Sequence, residues 1–186
     1  MKRLFDLIFV TILLLILLVP MLLVAIAVKM TAKGTVLYWS DRVGQYNRIF
    51  MMPKFRTMRL DTPPIATHLM KNHENFLTPI GKFLRRTSLD ELPQLFSILK
   101  GKMSFVGPRP ALFNQDDLIA FRTKNGVDQL LPGLTGWAQV NGRDELTIQE
   151  KVSLDMEYME KQSFWFDLRI LWLTCLKVLN KDGVSH

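Results

Sequence analysis

Two adjacent acids, Asp90 and Glu91, follow a basic pair, Arg85 and Arg86, and precede an arginine held between prolines in Gly107-Pro108-Arg109-Pro110. A carboxylate can attack phosphorus to form an acyl phosphate or hold a divalent cation, and guanidinium groups bind phosphoryl oxygens in charge-assisted forks. Pro93 fits only the first turn of a helix, because deeper in it deletes a backbone hydrogen bond and clashes. Leu92, Leu95, Phe96 and Leu99 then repeat at helical spacing, so a helix is predicted to run on from Pro93. Asp90 and Glu91 fall at its N-terminal end, where free N–H groups and the dipole keep a carboxylate ionised and favour a phosphate alongside. The same residues admit a plainer use. Ser88-x-x-Glu91 fits a capping box, and acids in a first turn are ordinary helix stabilisers. Capping, however, needs neither Arg85, Arg86 and Arg109 nor the membrane segment described below.

A second segment, Leu131-Pro-Gly-Leu-Thr-Gly-Trp-Ala-Gln-Val-Asn-Gly-Arg143, is dense in turn formers. Its glycines would let backbone N–H groups approach a ligand, and Arg143 would supply a phosphate fork; the alternative is a surface turn with an incidental arginine. Lys54-Phe-Arg-Thr-Met-Arg59 is cationic and reads either as part of such a site or as a solvated face.

These groups have to be positioned by a chain of 186 residues, enough for one compact domain with an appended anchor. A formal charge of +7 and a pI near 9.7 call for an acidic partner: nucleic acid, anionic lipid or a phosphorylated substrate. The lone Cys175 excludes an internal disulfide. His68, His73 and His186 have no metal-ligand spacing with cysteines or acids, which argues against zinc.

Residues 4–28 are apolar apart from Asp6. Each Leu, Ile, Phe or Val at a helix centre gains about 0.3–0.6 kcal/mol on insertion, so the stretch gains on the order of ten kcal/mol. It is too long for a signal peptide and lacks a small-residue cleavage site. Pro20 falls inside it and is predicted to kink or break the helix. Lys2 and Arg3 flank one end, and Lys29, Lys33 and Arg42 the other. The positive-inside bias therefore keeps both ends cytoplasmic. A re-entrant helix that enters and leaves one leaflet satisfies both constraints; a plain span, for which roughly 20 residues suffice, is the alternative. The domain division follows, with an anchor at residues 1–33 and a membrane-associated domain at 34–186.

Beyond the anchor, residues 36–39 and 48–52 read as a short hairpin around a turn at 44–47. Residues 61–79, with Pro63-Pro64, read as a loop with a short helix or two, and 80–86 as a short basic helix. Residues 114–124, 147–161 and 164–179 are predicted helices. The last carries Trp165, Phe166 and Trp172 among charges too numerous for a span. It either lies along the membrane interface or is buried in the core. The fold class is α+β, mostly helical, and monotopic, with a re-entrant helix, amphipathic interfacial helices and a short β-hairpin.

Together these segments resemble the bacterial sugar transferases, specifically the small monotopic phosphoglycosyl transferases. The resemblance rests on the N-terminal helix with its proline, Asp41-Arg-Val-Gly44, Lys54-Phe-Arg-Thr-Met58, Ser88-Leu-Asp-Glu-Leu-Pro-Gln-Leu95, Met103-Ser-Phe-Val-Gly-Pro-Arg-Pro110, Pro132-Gly-Leu-Thr-Gly136 and Gln139-Val-Asn-Gly-Arg143. It implies a nucleotide-diphosphate sugar donor, usually a UDP-sugar, a polyprenol (undecaprenyl) phosphate acceptor, and Mg2+. It further implies an Asp nucleophile at Asp90, a metal-binding acid at Glu91, and an active site at the cytoplasmic face of the bacterial inner membrane. Substrate contacts are then expected from Arg109, Arg143, Arg86, Lys54, Pro108, Pro110 and Gln139. The flanking prolines would limit the entropy lost in aiming Arg109.

Three rivals come from other readings. A nucleic-acid-binding module would use the positive charge, but no recognised binding motif is present. A non-catalytic scaffold for glycan assembly would keep the anchor and basic face without needing an Asp-Glu pair. A membrane-bound nucleotide-sugar phosphohydrolase would use the same acyl-phosphate chemistry without a lipid acceptor.

Overall fold

The apolar N-terminal run forms a single helix, α1 (Lys2–Thr31), in a computed structural model that describes residues 2–62, 73–142 and 145–180. The helix is assigned without interruption through Pro20, where the sequence predicts a kink or break. The proline removes the amide that would bond to the carbonyl of residue 16, and the turns on either side carry the helix across. One stripe of α1 packs on the rest of the protein along its length: Asp6, Val10, Val24 and Val28 are buried, while Leu15, Ile16, Leu18, Leu22 and Leu23 on other sides are exposed. An apolar helix with an exposed apolar flank is suited to lipid rather than water.

The predicted hairpin is present and longer than its apolar cores suggest. β1 (Leu37–Val43) pairs antiparallel with β2 (Ile49–Phe55), Ser40 opposite Met52 and Tyr38 opposite Lys54. The turn between them uses left-handed backbone at Tyr46 and Asn47. Alternation turns Phe50, Met52 and Lys54 inward and leaves Ile49 and Met51 exposed. Pro53 is accepted within β2 because the sheet has only two strands, so an amide on its outer edge has no partner to lose.

A short helix, α2 (Gly81–Arg86), and α3 (Leu95–Leu99) flank a 3-10 segment at Leu89–Gln94. β3 (Ser104–Val106) follows, then α4 (Asp116–Lys124), β4 (Gly133–Thr135) and α5 (Trp137–Val140). The chain closes with α6 (Ile148–Lys161) and α7 (Phe164–Asn180). α6 begins with a true capping box, Thr147 with Glu150. The loop reading of residues 63–72, with Pro63, Pro64 and His68, lies outside the described residues.

One core joins Val10 of α1 to Met52, Leu95, Ile98, Phe105 and Ile170; a second joins Val24 and Val28 to Phe55 and Leu84. The anchor is therefore part of the domain's hydrophobic interior. α7 divides its faces between the two placements open to it. Asp167 and Ile170 are buried, while Trp165 is 77% and Trp172 65% exposed. Seven residues apart, the two indoles share a face that suits headgroup depth.

β3 and β4 are parallel, Ser104 opposite Gly133 and Val106 opposite Thr135. Three residues each are too few to show strand periodicity, and the sequence did not reveal them. Their closeness explains the glycines, which the sequence predicts to face a ligand. A Cβ on Gly107 would lie 2.3 Å from Leu131 O, and one on Gly136 would lie 2.1 Å from Gly107 O. These glycines bring backbone against backbone. Gly136→Ala is accordingly expected to destabilise the protein by about 1–3 kcal/mol, the usual cost of overpacking, read as a lowered midpoint in thermal unfolding.

Candidate active site

Asp90 and Glu91 sit on the 3-10 segment rather than in the first turn of an α-helix. The chain enters it through Ser88 in left-handed backbone (φ 56°), and the Ser88 side chain makes no capping bond. The capping reading is thereby set aside: both carboxylates turn inward, Asp90 to 6% exposure. Pro93 lies inside the 3-10 segment, two residues ahead of α3, so the helix begins later than its apolar repeat suggests. α3 spans only five residues, too short for a strong dipole at the acids.

Cations from four elements meet these acids. β2 supplies Lys54, whose Nζ lies 2.7 Å from Glu91 Oε1 and 3.9 Å from Asp90 Oδ2. Arg109 Nη2 lies 3.3 Å from the same Glu91 oxygen. Arg42 on β1 donates from Nε to Ser40 Oγ at 3.0 Å and from Nη1 to Pro110 O at 3.2 Å. Arg85 at the end of α2 donates from Nε to Thr57 Oγ1 at 3.1 Å and feels the charge of both acids.

Burial governs the electrostatics. It pushes the Asp90 carboxyl above its ordinary range, with Glu91 adding to the rise and Lys54, Arg85 and Arg109 opposing it. This reverses the expectation that a helix terminus holds Asp90 ionised; desolvation outweighs the short helix. Burial likewise lowers Lys54, against the pull of Glu91 and Asp90. Arg42 is brought down to about 10 by burial and by Arg109. Four cations around two carboxylates leave an excess of positive charge, the complement of a multiply charged anion.

The backbone of Gly107-Pro-Arg-Pro110 is held at every residue. Gly107 N donates to Thr135 O, and Pro108 O accepts from Gly133 N. Arg109 O accepts from Arg122 Nη1 at 2.7 Å, and Pro110 O from Arg42. Arg122 is in turn locked by Asp155, with Nε and Nη2 at 3.0 and 2.7 Å from one buried carboxylate oxygen. Pro108 and Pro110 thus act together with long-range bonds rather than alone.

The remaining expected residues fall differently. α2 directs Arg85, not Arg86, toward the acids, and Arg86 is exposed. Gln139 lies on α5, where Nε2 and Oε1 are buried without a hydrogen-bond partner among the described residues. Arg143 lies outside the described residues. Arg42, Arg122 and Asp155 were missed. Arg42 belongs to Asp41-Arg-Val-Gly44, a segment quoted above for resemblance alone, and a role for it could have been sought there.

No group of three or more His, Cys, Asp or Glu residues able to hold a metal occurs among the described residues. Two neighbouring carboxylates nevertheless suit Mg2+, which takes one or two protein carboxylates and completes its octahedron with water and substrate phosphate.

Comparison with known proteins shows the family of the chain. The family model described as bacterial sugar transferase matches residues 1–181. An undecaprenyl-phosphate glucose phosphotransferase of Komagataeibacter xylinus is 42% identical over 188 residues, covering 93% of this chain and 35% of its own. A UDP-glucose:undecaprenyl-phosphate glucose-1-phosphate transferase of Escherichia coli K12 is 37% identical over 185 residues, covering 95% of this chain and 40% of its own. An uncharacterized sugar transferase, EpsL, of Bacillus subtilis 168 is 39% identical over 187 residues, covering 100% of this chain and 91% of its own. The chain thus spans well under half of the first two relatives and nearly all of the third.

The raised Asp90 carboxyl has a measurable cost. An acid whose folded-state value lies above its unfolded value of about 4 destabilises the fold once it must ionise. The penalty is absent below that unfolded value, grows as pH rises from it to the folded one, and is constant above that. Asp90→Asn, which removes the carboxylate that burial disfavours, is expected to raise Tm relative to wild type at pH 7.5. The gain should shrink toward pH 4 in thermal melts of both proteins.

Proposed function

The chain belongs to the bacterial sugar transferases, and from that premise we propose that it moves a phospho-sugar from a nucleotide-diphosphate sugar, of the UDP-sugar class, to polyprenol (undecaprenyl) phosphate. The observation that carries this reading is the buried Asp90–Glu91 pair inside an excess of cations, on a domain whose interior includes an apolar anchor.

A carboxylate approaching a diphosphate meets like charge, about 4 kcal/mol per unit pair at 4 Å and an effective dielectric near 20. Lys54, Arg109, Arg42 and Arg85 offset that repulsion by binding phosphoryl oxygens. Glu91, with phosphate oxygens of the donor, would hold Mg2+, which supplies Lewis-acid neutralisation of charge. Asp90 attacks the sugar-bearing phosphorus: an Asp90 oxygen–phosphorus bond forms, the bridging P–O bond breaks, and nucleoside monophosphate leaves with the electron pair. An oxygen of the acceptor phosphate then attacks the same phosphorus and returns Asp90 as a carboxylate. Partial desolvation strengthens Asp90 as a nucleophile, and Lys54 at 3.9 Å keeps the ionised form accessible.

The seat of the anchor supports a monotopic arrangement at the cytoplasmic face of the inner membrane. Thirty residues of α-helix are about 45 Å long, more than the ~30 Å hydrocarbon core. Yet residues near both ends of α1, about 37 Å apart along the helix, pack on one domain: Arg3 bonds to Ile98 O and Leu99 O, and Val28 lies in the second core. A perpendicular span would carry one of those contacts to the far side of the bilayer. Re-entry, by a bend at Pro20 in a helix that runs on through it, keeps both on the side where nucleotide-sugars occur.

Asp90→Asn is expected to abolish turnover, at least a thousandfold, in an assay of nucleoside monophosphate release from UDP-sugar and undecaprenyl phosphate. Donor alone should leave a phospho-sugar on Asp90 by mass spectrometry, and chelation of divalent cations should stop turnover. Full activity of the Asn variant without an adduct would remove the covalent route. Release of free phospho-sugar without lipid would favour a phosphohydrolase. For the anchor, cysteines placed ahead of residue 1 and at Lys33, in a Cys175→Ser background, should both resist an impermeant thiol reagent from the periplasmic side. Labelling of the N-terminal one from that side would establish a full span.

A further inference from the structure

The buried polar groups that phosphoryl transfer leaves unused converge under β3. Asp6 is 2% exposed within an otherwise apolar helix, and its Oδ1 accepts from Phe105 N at 3.3 Å. β3 has β4 on one side only: Ser104 N and Gly107 N bond toward Pro132 O and Thr135 O, and Phe105 N turns the other way. The Asp6 carboxylate takes the bond that a third strand would have made. Beside it, Tyr158 of α6 is buried with its hydroxyl 3.2 Å from Val106 O and 2.8 Å from Asp167 Oδ1. One proton serves those two acceptors. The hydroxyl oxygen accepts in turn from Lys2 Nζ at 3.0 Å and Gln162 Nε2 at 3.2 Å, and Lys2 also pairs with Asp167. Arg3 reaches a different element, donating from Nη1 to Ile98 O at 2.6 Å and from Nη2 to Leu99 O at 2.9 Å at the end of α3.

We propose that Asp6, with Tyr158, is a positioning residue that sets the arginine loop against the acid pair. The two backbone groups it and Tyr158 engage, on Phe105 and Val106, directly precede Gly107-Pro-Arg109-Pro. Arg3 holds the far end of the segment that carries Asp90 and Glu91. The first turn of α1 therefore grips both halves of the site, and its seating fixes the 3.3 Å approach of Arg109 to Glu91. Ionisable groups in lipid-inserted helices are costly and persist where partners hold them; here the partners lead to Arg109. The anchor then has a role in catalysis separate from membrane attachment, which its remaining apolar residues provide.

The proposal rests on the phosphoryl-transfer reading for the activity it perturbs, and a second readout keeps the two apart. In the full-length protein in lipid nanodiscs, Asp6→Leu should lower kcat at least tenfold with donor KM within twofold. Asp6→Asn, which retains an acceptor for Phe105 N, should recover most of the loss. Adding Arg109→Lys to Asp6→Leu should cost less than threefold more, although Arg109→Lys alone is severe, because both disturb one contact. Multiplicative losses, an Asn variant as poor as Leu, or full activity in Asp6→Leu would overturn the proposal. Amide exchange should lose protection at Phe105 and Gly107 in Asp6→Leu and keep it in Asp6→Asn. Unchanged protection overturns the proposal even if the wild type transfers nothing to undecaprenyl phosphate, an outcome that would count against the transferase reading alone. Should Asp6→Leu fail to fold, Tyr158→Phe keeps the ring in the core and should show the same kcat loss and exchange pattern.

Discussion

Asp90 and Glu91 share a six-residue segment from which water is largely excluded, and neither carboxylate is tolerable there without cations within reach. Much of the architecture follows from that requirement. Lys54 has to lie on the inner face of a strand, so β2 extends past its apolar residues with β1 beside it. Arg109 has to reach Glu91 from a loop that cannot move, so four backbone bonds and two prolines hold Gly107-Pro-Arg-Pro110. Arg122 and Asp155 form a buried ion pair that joins α4 to α6 and grips one carbonyl of that loop. Such pairs add little stability by themselves, and their usefulness lies in fixing one geometry over others.

The same constraint explains which parts of the molecule could be read from its sequence. The anchor, the hairpin and the longer helices follow from periodicity and turn residues, which are local. The Thr147 capping box at α6 is local as well, and it formed. Ser88-x-x-Glu91 has the same pattern and did not form, because Lys54 and Arg109 arrive from 37 and 18 residues away and claim Glu91. Tertiary pairing outweighs a cap of about 1 kcal/mol. The choice of Arg85 over Arg86 depends on which side of a six-residue helix meets α1, and no spacing rule in the chain states it.

Glycine shows a different limit. In Pro132-Gly-Leu-Thr-Gly136 the residue type correctly signals close backbone approach, but it does not say to what. The partner is Gly107, just after a strand too short to announce itself. Membrane character was legible from α1 alone, whereas its incorporation into both cores was not. Amphipathicity is weak in a helix apolar on every side, and only the buried Asp6 betrays which side faces protein.

The span between Lys2 and Asp167 has a consequence for biogenesis. The two residues are 165 apart in the chain, so the anchor leaves the ribosome long before its last partner exists. At about 5–20 residues per second, that interval is roughly ten to thirty seconds. Arg3 and Asp6 gain their partners once residues 98–105 are made, whereas Lys2 waits for Tyr158 and Asp167. The first helix to be made is thus completed by the last, and the nascent protein stays an open hook until α7 emerges to close it.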